Sequence, residues 1–172
     1  MEERTGVFTF KGKPLTLIGP ELQVGDRAPQ FALLANDLSV VKLSDSRGKV
    51  RLLSVVTSLD TSTCSIQTKR FNEELPKLGP QVVAYTISCD LPFAQARFCG
   101  AEGISNMQVL SDHREVSFGQ AYGVLIKELR LLARSVFVVG GDDRIRYVRI
   151  EPEGAQEPDY EPALGALQAA LK

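Results

Sequence analysis

A polar, hydroxyl-rich loop between a buried strand and a helix constrains this chain more than any other feature. Val50 to Val56 is a nearly continuous apolar run rich in β-branched residues, the pattern of a strand covered on both faces. Thr57 to Thr63 is polar. From Cys64 to Leu78 the pattern turns helical, with Phe71, Leu75 and Leu78 at i, i+4 and i+7 on one face. Gly79-Pro80 stops the helix, and Val82 to Ile87 returns as a second apolar strand. Strand, helix and strand at this spacing make a βαβ unit with a right-handed crossover. Its parallel strands need a layer of structure on each face.

The rest of the chain extends this unit. Val7 to Phe10 and Leu15 to Ile18 flank Gly12-Lys13-Pro14 and predict an N-terminal hairpin. Phe31 to Ala35 and Val40 to Leu43, around Asn36-Asp37, predict a second one. Asp90-Leu91-Pro92 marks the start of a short helix ending near Gly100, with Asp90 as its N-cap. Met107 to Leu110 reads as a strand and Glu115 to Tyr122 as a helix. Arg134 to Val139 and Ile145 to Ile150 read as antiparallel strands about a solvated Asp142-Asp143 turn. Tyr160, Leu164, Leu167 and Leu171 outline a C-terminal amphipathic helix. The sum is an α/β architecture: one domain over residues 1–172, a central mixed β-sheet with helices on both faces, and an N-terminal hairpin extension at 1–18.

Composition excludes several functions. With 20 basic against 21 acidic residues and a formal net charge of −1, the chain lacks the basic excess of a nucleic-acid binder. No apolar stretch is long enough to span a membrane. Met1-Glu2-Glu3-Arg4 places acid where a signal peptide carries base, so the expected location is the cytoplasm. One histidine, His113, and three scattered cysteines without a Cys-x-x-Cys pair make a poor metal site. No metal or cofactor is expected, and His113 is assigned no catalytic duty. In a reducing compartment, three widely spaced cysteines read as reactive or buried thiols, not as a disulfide framework.

Cys64 stands where the polar loop hands over to the helix. A thiol in the first turn faces unpaired backbone N–H groups and the positive end of the helix dipole, and both favour thiolate over thiol. Free cysteine titrates near about 8.5, and such surroundings lower it. Thiolate is the form that attacks an O–O bond. Thr61 is placed to hydrogen-bond Cys64 or a peroxide oxygen, where charge builds on the departing atom. Free cysteine is also a common core residue, but the hydroxyls around Cys64 are loop composition, not core composition.

Residues 57–75, TSLDTSTCSIQTKRFNEEL, and 90–103, DLPFAQARFCGAEG, resemble the thiol peroxidase branch of the peroxiredoxins. So do the opening hairpin, Gly19 to Asp26, and Leu132 to Val139. The resemblance runs in order along most of the chain. It implies a thioredoxin-like fold, reduction of hydrogen peroxide and organic hydroperoxides, thioredoxin as electron donor, and a homodimer. It makes Cys64 the peroxidatic cysteine, Thr61 its hydroxyl partner, Arg134 the active-site arginine and Cys99 the resolving cysteine. One position departs: Thr57 stands where the family motif has a proline that shields the pocket.

If Cys64 and Cys99 both sit in folded helices, their Cα atoms exceed the roughly 7 Å reach of a disulfide. Forming the bridge then requires local unwinding, eased by Gly100. Cys89 is expected to be a buried small residue, with an alternate resolving role as the competing assignment. Arg97 is expected to be a surface charge. Two other activities fit the same thiol. A thiol–disulfide oxidoreductase would want a local Cys-x-x-Cys partner, which Ser65-Ile66-Gln67 does not supply. A peroxide-sensing redox switch would use the same sulfur without turnover.

Overall fold

The structure, a computed structural model, describes all 172 residues. Strands β1 (Glu3–Phe10) and β2 (Lys13–Ile18) form the expected hairpin. It turns through Lys11 and Gly12, both at positive φ, which suits the twist of a tight two-residue connection. β3 (Ala32–Leu34) and β4 (Val40–Lys42) form the second hairpin. β5 (Val50–Val55), α1 (Ser62–Glu74) and β6 (Val82–Ser88) are the βαβ unit, with β5 and β6 parallel from Val50–Val82 to Val55–Ile87. Then come α2 (Pro92–Glu102), β7 (Gln108–Ser111), α3 (Ser117–Ala121), β8 (Leu125–Ile126), β9 (Leu131–Leu132), β10 (Ser135–Val139), β11 (Ile145–Ile150) and α4 (Tyr160–Ala170).

Seven strands make the central sheet in the order β11-β10-β5-β6-β7-β3-β4. β5, β6 and β7 run parallel, and the flanking strands pair antiparallel. Side-chain alternation sends each strand to two cores. Leu53, Val55, Tyr85, Ile87, Phe137 and Val139 face Phe118 and Tyr122 at α3, together with the N-terminal hairpin. Leu52, Ala84, Val136 and Val138 face Phe71 of α1 and Ala163, Leu164 and Leu167 of α4. Each such aliphatic or aromatic side chain, fully buried, contributes about 1.5–3 kcal/mol. Helices therefore cover both faces of a mixed sheet, the thioredoxin-like arrangement implied by the resemblance. No helix is long and apolar enough to cross a membrane.

Several expectations are corrected. Helix α1 begins two residues before Cys64 and gives way at Glu74 to a 3₁₀ turn, Leu75–Leu78, because Pro76 has no N–H to continue the α ladder. The helix expected from Glu115 is confined to Ser117–Ala121, and the strand expected from Arg134 begins at Ser135. Strands β8 and β9 join the hairpin in a separate four-stranded sheet, β1-β2-β8-β9. Two-residue strands leave no periodic signal to read. Asp143 is buried rather than solvated, paired with Arg51, a fully buried charge within the apolar run of β5. Asp90 is not the cap of α2: Leu91 occupies that position, and no side chain caps the helix.

Candidate active site

The backbone puts Cys64 in the first turn of α1. Thr61 is the N-cap residue, with extended φ and ψ, and its carbonyl accepts from the N–H of Ser65 at 3.1 Å. Cys64 is thus the third helical residue, beside amides that have no acceptor within the helix. Asp90 secures the approach to this turn. Its carboxylate accepts from the Ser58 hydroxyl at 2.8 Å, the Leu59 N–H at 2.8 Å and the Ser88 hydroxyl at 2.7 Å. The loop after β5 is thereby tied to the end of β6.

Arg134 lies just before β10, is 1% exposed, and spends its guanidinium on three fixed acceptors. Nη2 donates to Cys64 Sγ at 3.2 Å, Nη1 to Gln67 Oε1 at 2.8 Å and Nε to the Gly154 carbonyl at 2.9 Å. Gln67 continues the chain by donating to the Ser54 hydroxyl at 2.8 Å. A planar fork addressing three directions at once suits Arg and not Lys. Charge-assisted bonds of this kind are about twice as strong as neutral ones.

Of the two hydrogen bonds expected of Thr61, the one to Cys64 is absent. The Thr61 hydroxyl donates to the Ser58 carbonyl at 2.9 Å, which leaves its lone pairs to accept from another group. Cys64 itself is fully buried. An open cavity of about 470 Å³ lies at the same helix start, lined by Leu59, Thr61, Ser62, Ser65, Arg97 and Phe98 but not by Cys64. Arg97 is exposed, as a surface charge should be, but it stands on this mouth.

The other two thiols are elsewhere. All three cysteines are free. Cys99 is half-buried on α2 and faces a different cavity, of about 270 Å³, with Asn36, Ile104 and Met107. Burial raises its thiol above the ordinary range, partly offset by the Asn36 side chain. Cys89 is pushed up to about 12 by burial, with Asp112 adding to the effect. Thr57 is 3% exposed, and its hydroxyl has no hydrogen-bond partner.

The structure brings Cys64 and Arg134 together and leaves Cys99 unbonded to Cys64, on a different cavity. It also adds Gln67, Asp90 and Gly154, which the sequence reading missed or misplaced. Gln67 had a signal: with Cys64, Thr68 and Phe71 it shares the buried face of α1, where an unpaired polar side chain is costly. Gly154 had none, since it acts through a backbone carbonyl.

A thiol at a helix start, facing a buried arginine on this fold, defines a class of redox proteins, and the comparisons agree. Residues 23–164 match the Redoxin family. The thiol peroxidase of Halalkalibacterium halodurans is 57% identical over 165 residues, covering 95% of this chain and 98% of its own. That of Bacillus subtilis is 54% identical, covering 96% and 98%. The crystal structure of a peroxiredoxin-like protein from Aquifex aeolicus superposes with a TM-score of 0.90 at 38% identity, covering 97% of each chain. The chain belongs to the Redoxin family and, within it, to the thiol peroxidases. It is a peroxidase of the peroxiredoxin class.

Proposed function

We propose that Cys64 is the peroxidatic sulfur of a thioredoxin-recycled peroxidase, with Cys99 as its resolving partner. The observation that carries this is the Arg134 Nη2 contact to Cys64 Sγ at 3.2 Å within the first turn of α1. The thiolate attacks one peroxide oxygen. An S–O bond forms, the O–O bond breaks, and the departing oxygen leaves as alkoxide or hydroxide and takes up a proton. Sulfur is oxidised by two electrons to sulfenic acid. Arg134 stabilises the charge as it moves from sulfur to the leaving oxygen. The Thr61 hydroxyl, its proton already committed to Ser58, accepts from the peroxide O–H. Because Cys64 is buried, the peroxide enters by the cavity over Thr61 as the 58–61 loop yields.

Cys99 then attacks the sulfenic sulfur, expels water and forms the Cys64–Cys99 disulfide. In folded α2 its thiol is held protonated by burial and faces another cavity. Unwinding at Gly100 exposes it and removes the burial that disfavours its thiolate, so the rearrangement also makes the thiol more reactive. Thioredoxin returns both thiols. Exposed Leu91 and Phe93 at the start of α2, with Ile66 on α1, fit a face covered in a homodimer. The protein works in the cytoplasm as one domain over 1–172.

Peroxide consumption coupled to a thioredoxin system tests the assignment. Cys64→Ser should consume no peroxide, and Cys99→Ser should complete one turnover and stop. Wild-type turnover in Cys64→Ser overturns the assignment of the nucleophile. A Cys64–Cys89 bridge in mass mapping of the oxidised protein overturns the resolving role of Cys99.

A further inference from the structure

Between β11 and α4 the chain crosses from the active site to the N-terminal hairpin, and Glu153 stands at the crossing. Its Oε1 accepts from the N–H of Lys11 at 2.8 Å and of Ala155 at 3.0 Å. Its Oε2 accepts from the N–H of Gly12 at 3.0 Å and the Thr9 hydroxyl at 2.7 Å. Two backbone bonds flank them: Thr9 N–H to the Pro152 carbonyl at 2.7 Å, and Gly154 N–H to the Thr9 carbonyl at 2.8 Å. Packing at the crossing is close: a Cβ on Gly154 would lie 2.6 Å from the ring of Phe8. The hairpin turn and residues 152–155 are therefore held as one body.

The opposite side of that body faces the active site. The Gly154 carbonyl accepts from Arg134 Nε at 2.9 Å. The Ala155 carbonyl accepts from the hydroxyl of Thr63, the residue before Cys64, at 3.3 Å. These two carbonyls hold the arginine and the helix start that flank the sulfur.

We infer that Glu153 is a positioning residue for the peroxidatic centre: by clamping the Lys11–Gly12 turn onto residues 152–155, it sets the Gly154 carbonyl that aims Arg134 at Cys64 Sγ. This rests on the reading of Cys64 as the attacking sulfur and deepens it, since it makes the N-terminal hairpin part of the active site. Glu153 makes no ion pair; its acceptor capacity is spent on the clamp. The N–H of Gly12 is foremost among the donors that hold its carboxyl well below the usual carboxylate range, at about 2. It is therefore charged throughout the neutral range.

Glu153→Gln tests this. The amide nitrogen cannot accept, so two of the bonds are lost and an N–H₂ group meets backbone or hydroxyl donors. We expect kcat/KM for hydrogen peroxide to fall about tenfold, and the rate of Cys64 alkylation at a fixed neutral pH to fall with it. Alkylation of Cys89 and Cys99 should be unchanged. A purely structural Glu153 would lower Tm and leave the Cys64 alkylation rate of the folded protein at its wild-type value; that result overturns the inference. Cys64→Ser run alongside separates the two claims, because its retained turnover would sink the nucleophile assignment whatever Glu153→Gln does. Should Glu153→Gln fail to fold, Thr9→Val removes one bond of the clamp. It should slow Cys64 alkylation by a smaller factor, and an unchanged rate in that variant also overturns the inference.

Discussion

Replacing Arg134 with Lys isolates what the guanidinium contributes to peroxide reduction. The wild-type side chain serves three acceptors, Cys64 Sγ, Gln67 Oε1 and the Gly154 carbonyl, from three nitrogens in one plane. An ammonium carries its donors on one atom and cannot reach acceptors that far apart. If Lys keeps one partner, two are left without a donor at a site that is 1% exposed. Each unpaired acceptor costs about 1–3 kcal/mol of stability, so a fall in Tm is expected. The catalytic loss is separate. Removing a donor aimed at an oxyanion-like charge costs about 2.7–4 kcal/mol, or 10²–10³ in rate. The assay is stopped-flow kcat/KM for hydrogen peroxide under excess reductant, with thermal melting run in parallel to count folded enzyme. A folded Arg134→Lys protein within about threefold of wild-type kcat/KM would refute the reasoning.

Thr61→Val should lower kcat/KM about 10–100-fold while Thr61→Ser retains most of it, because only the hydroxyl is needed; equal rates in Val and Ser variants would contradict this. Thr57→Val removes a buried hydroxyl that has no partner at nearly constant shape, and should raise stability by about 1 kcal/mol in urea unfolding; a loss of stability would show that the hydroxyl is satisfied. Burial raises the Asp112 carboxyl to about 6, against the N–H groups of Gly119 and Phe118, which act to lower it. The folded chain therefore holds this proton more tightly than the unfolded one. The resulting stability is complete below about pH 4 and is lost, by ~3 kcal/mol, as pH rises through 6. The urea midpoint should accordingly climb from pH 7 to pH 5 in wild type, and Asp112→Asn should flatten that slope. Cys89→Ser should leave turnover with thioredoxin unchanged, since burial keeps this thiol protonated; a stalled first turnover would restore Cys89 as a resolving residue.

What was legible in the sequence was local. The β5–α1–β6 unit shows in the order of apolar runs, because strand and helix periods are set by neighbours two to four residues apart. The position of Cys64 at a helix start follows from the same pattern. The resemblance supplied Arg134. Partners far along the chain were not legible. Asp90 looks like a cap beside Pro92, yet it binds Ser58 and Leu59, some thirty residues away in sequence. Asp143 looks like turn composition, yet it meets Arg51.

The amino-acid order by itself determined the α/β class, the central strands and the placement of one thiol in a first helical turn, because hydrophobic period and backbone breakers act over a few residues. Only the tertiary structure decided which polar groups share a buried space: Arg134 with Gln67 and Gly154, Glu153 with the hairpin turn, Cys99 with Asn36 instead of Cys64. Those pairings depend on which strands lie side by side, and each polar group must find its partner across that arrangement or be left uncompensated inside.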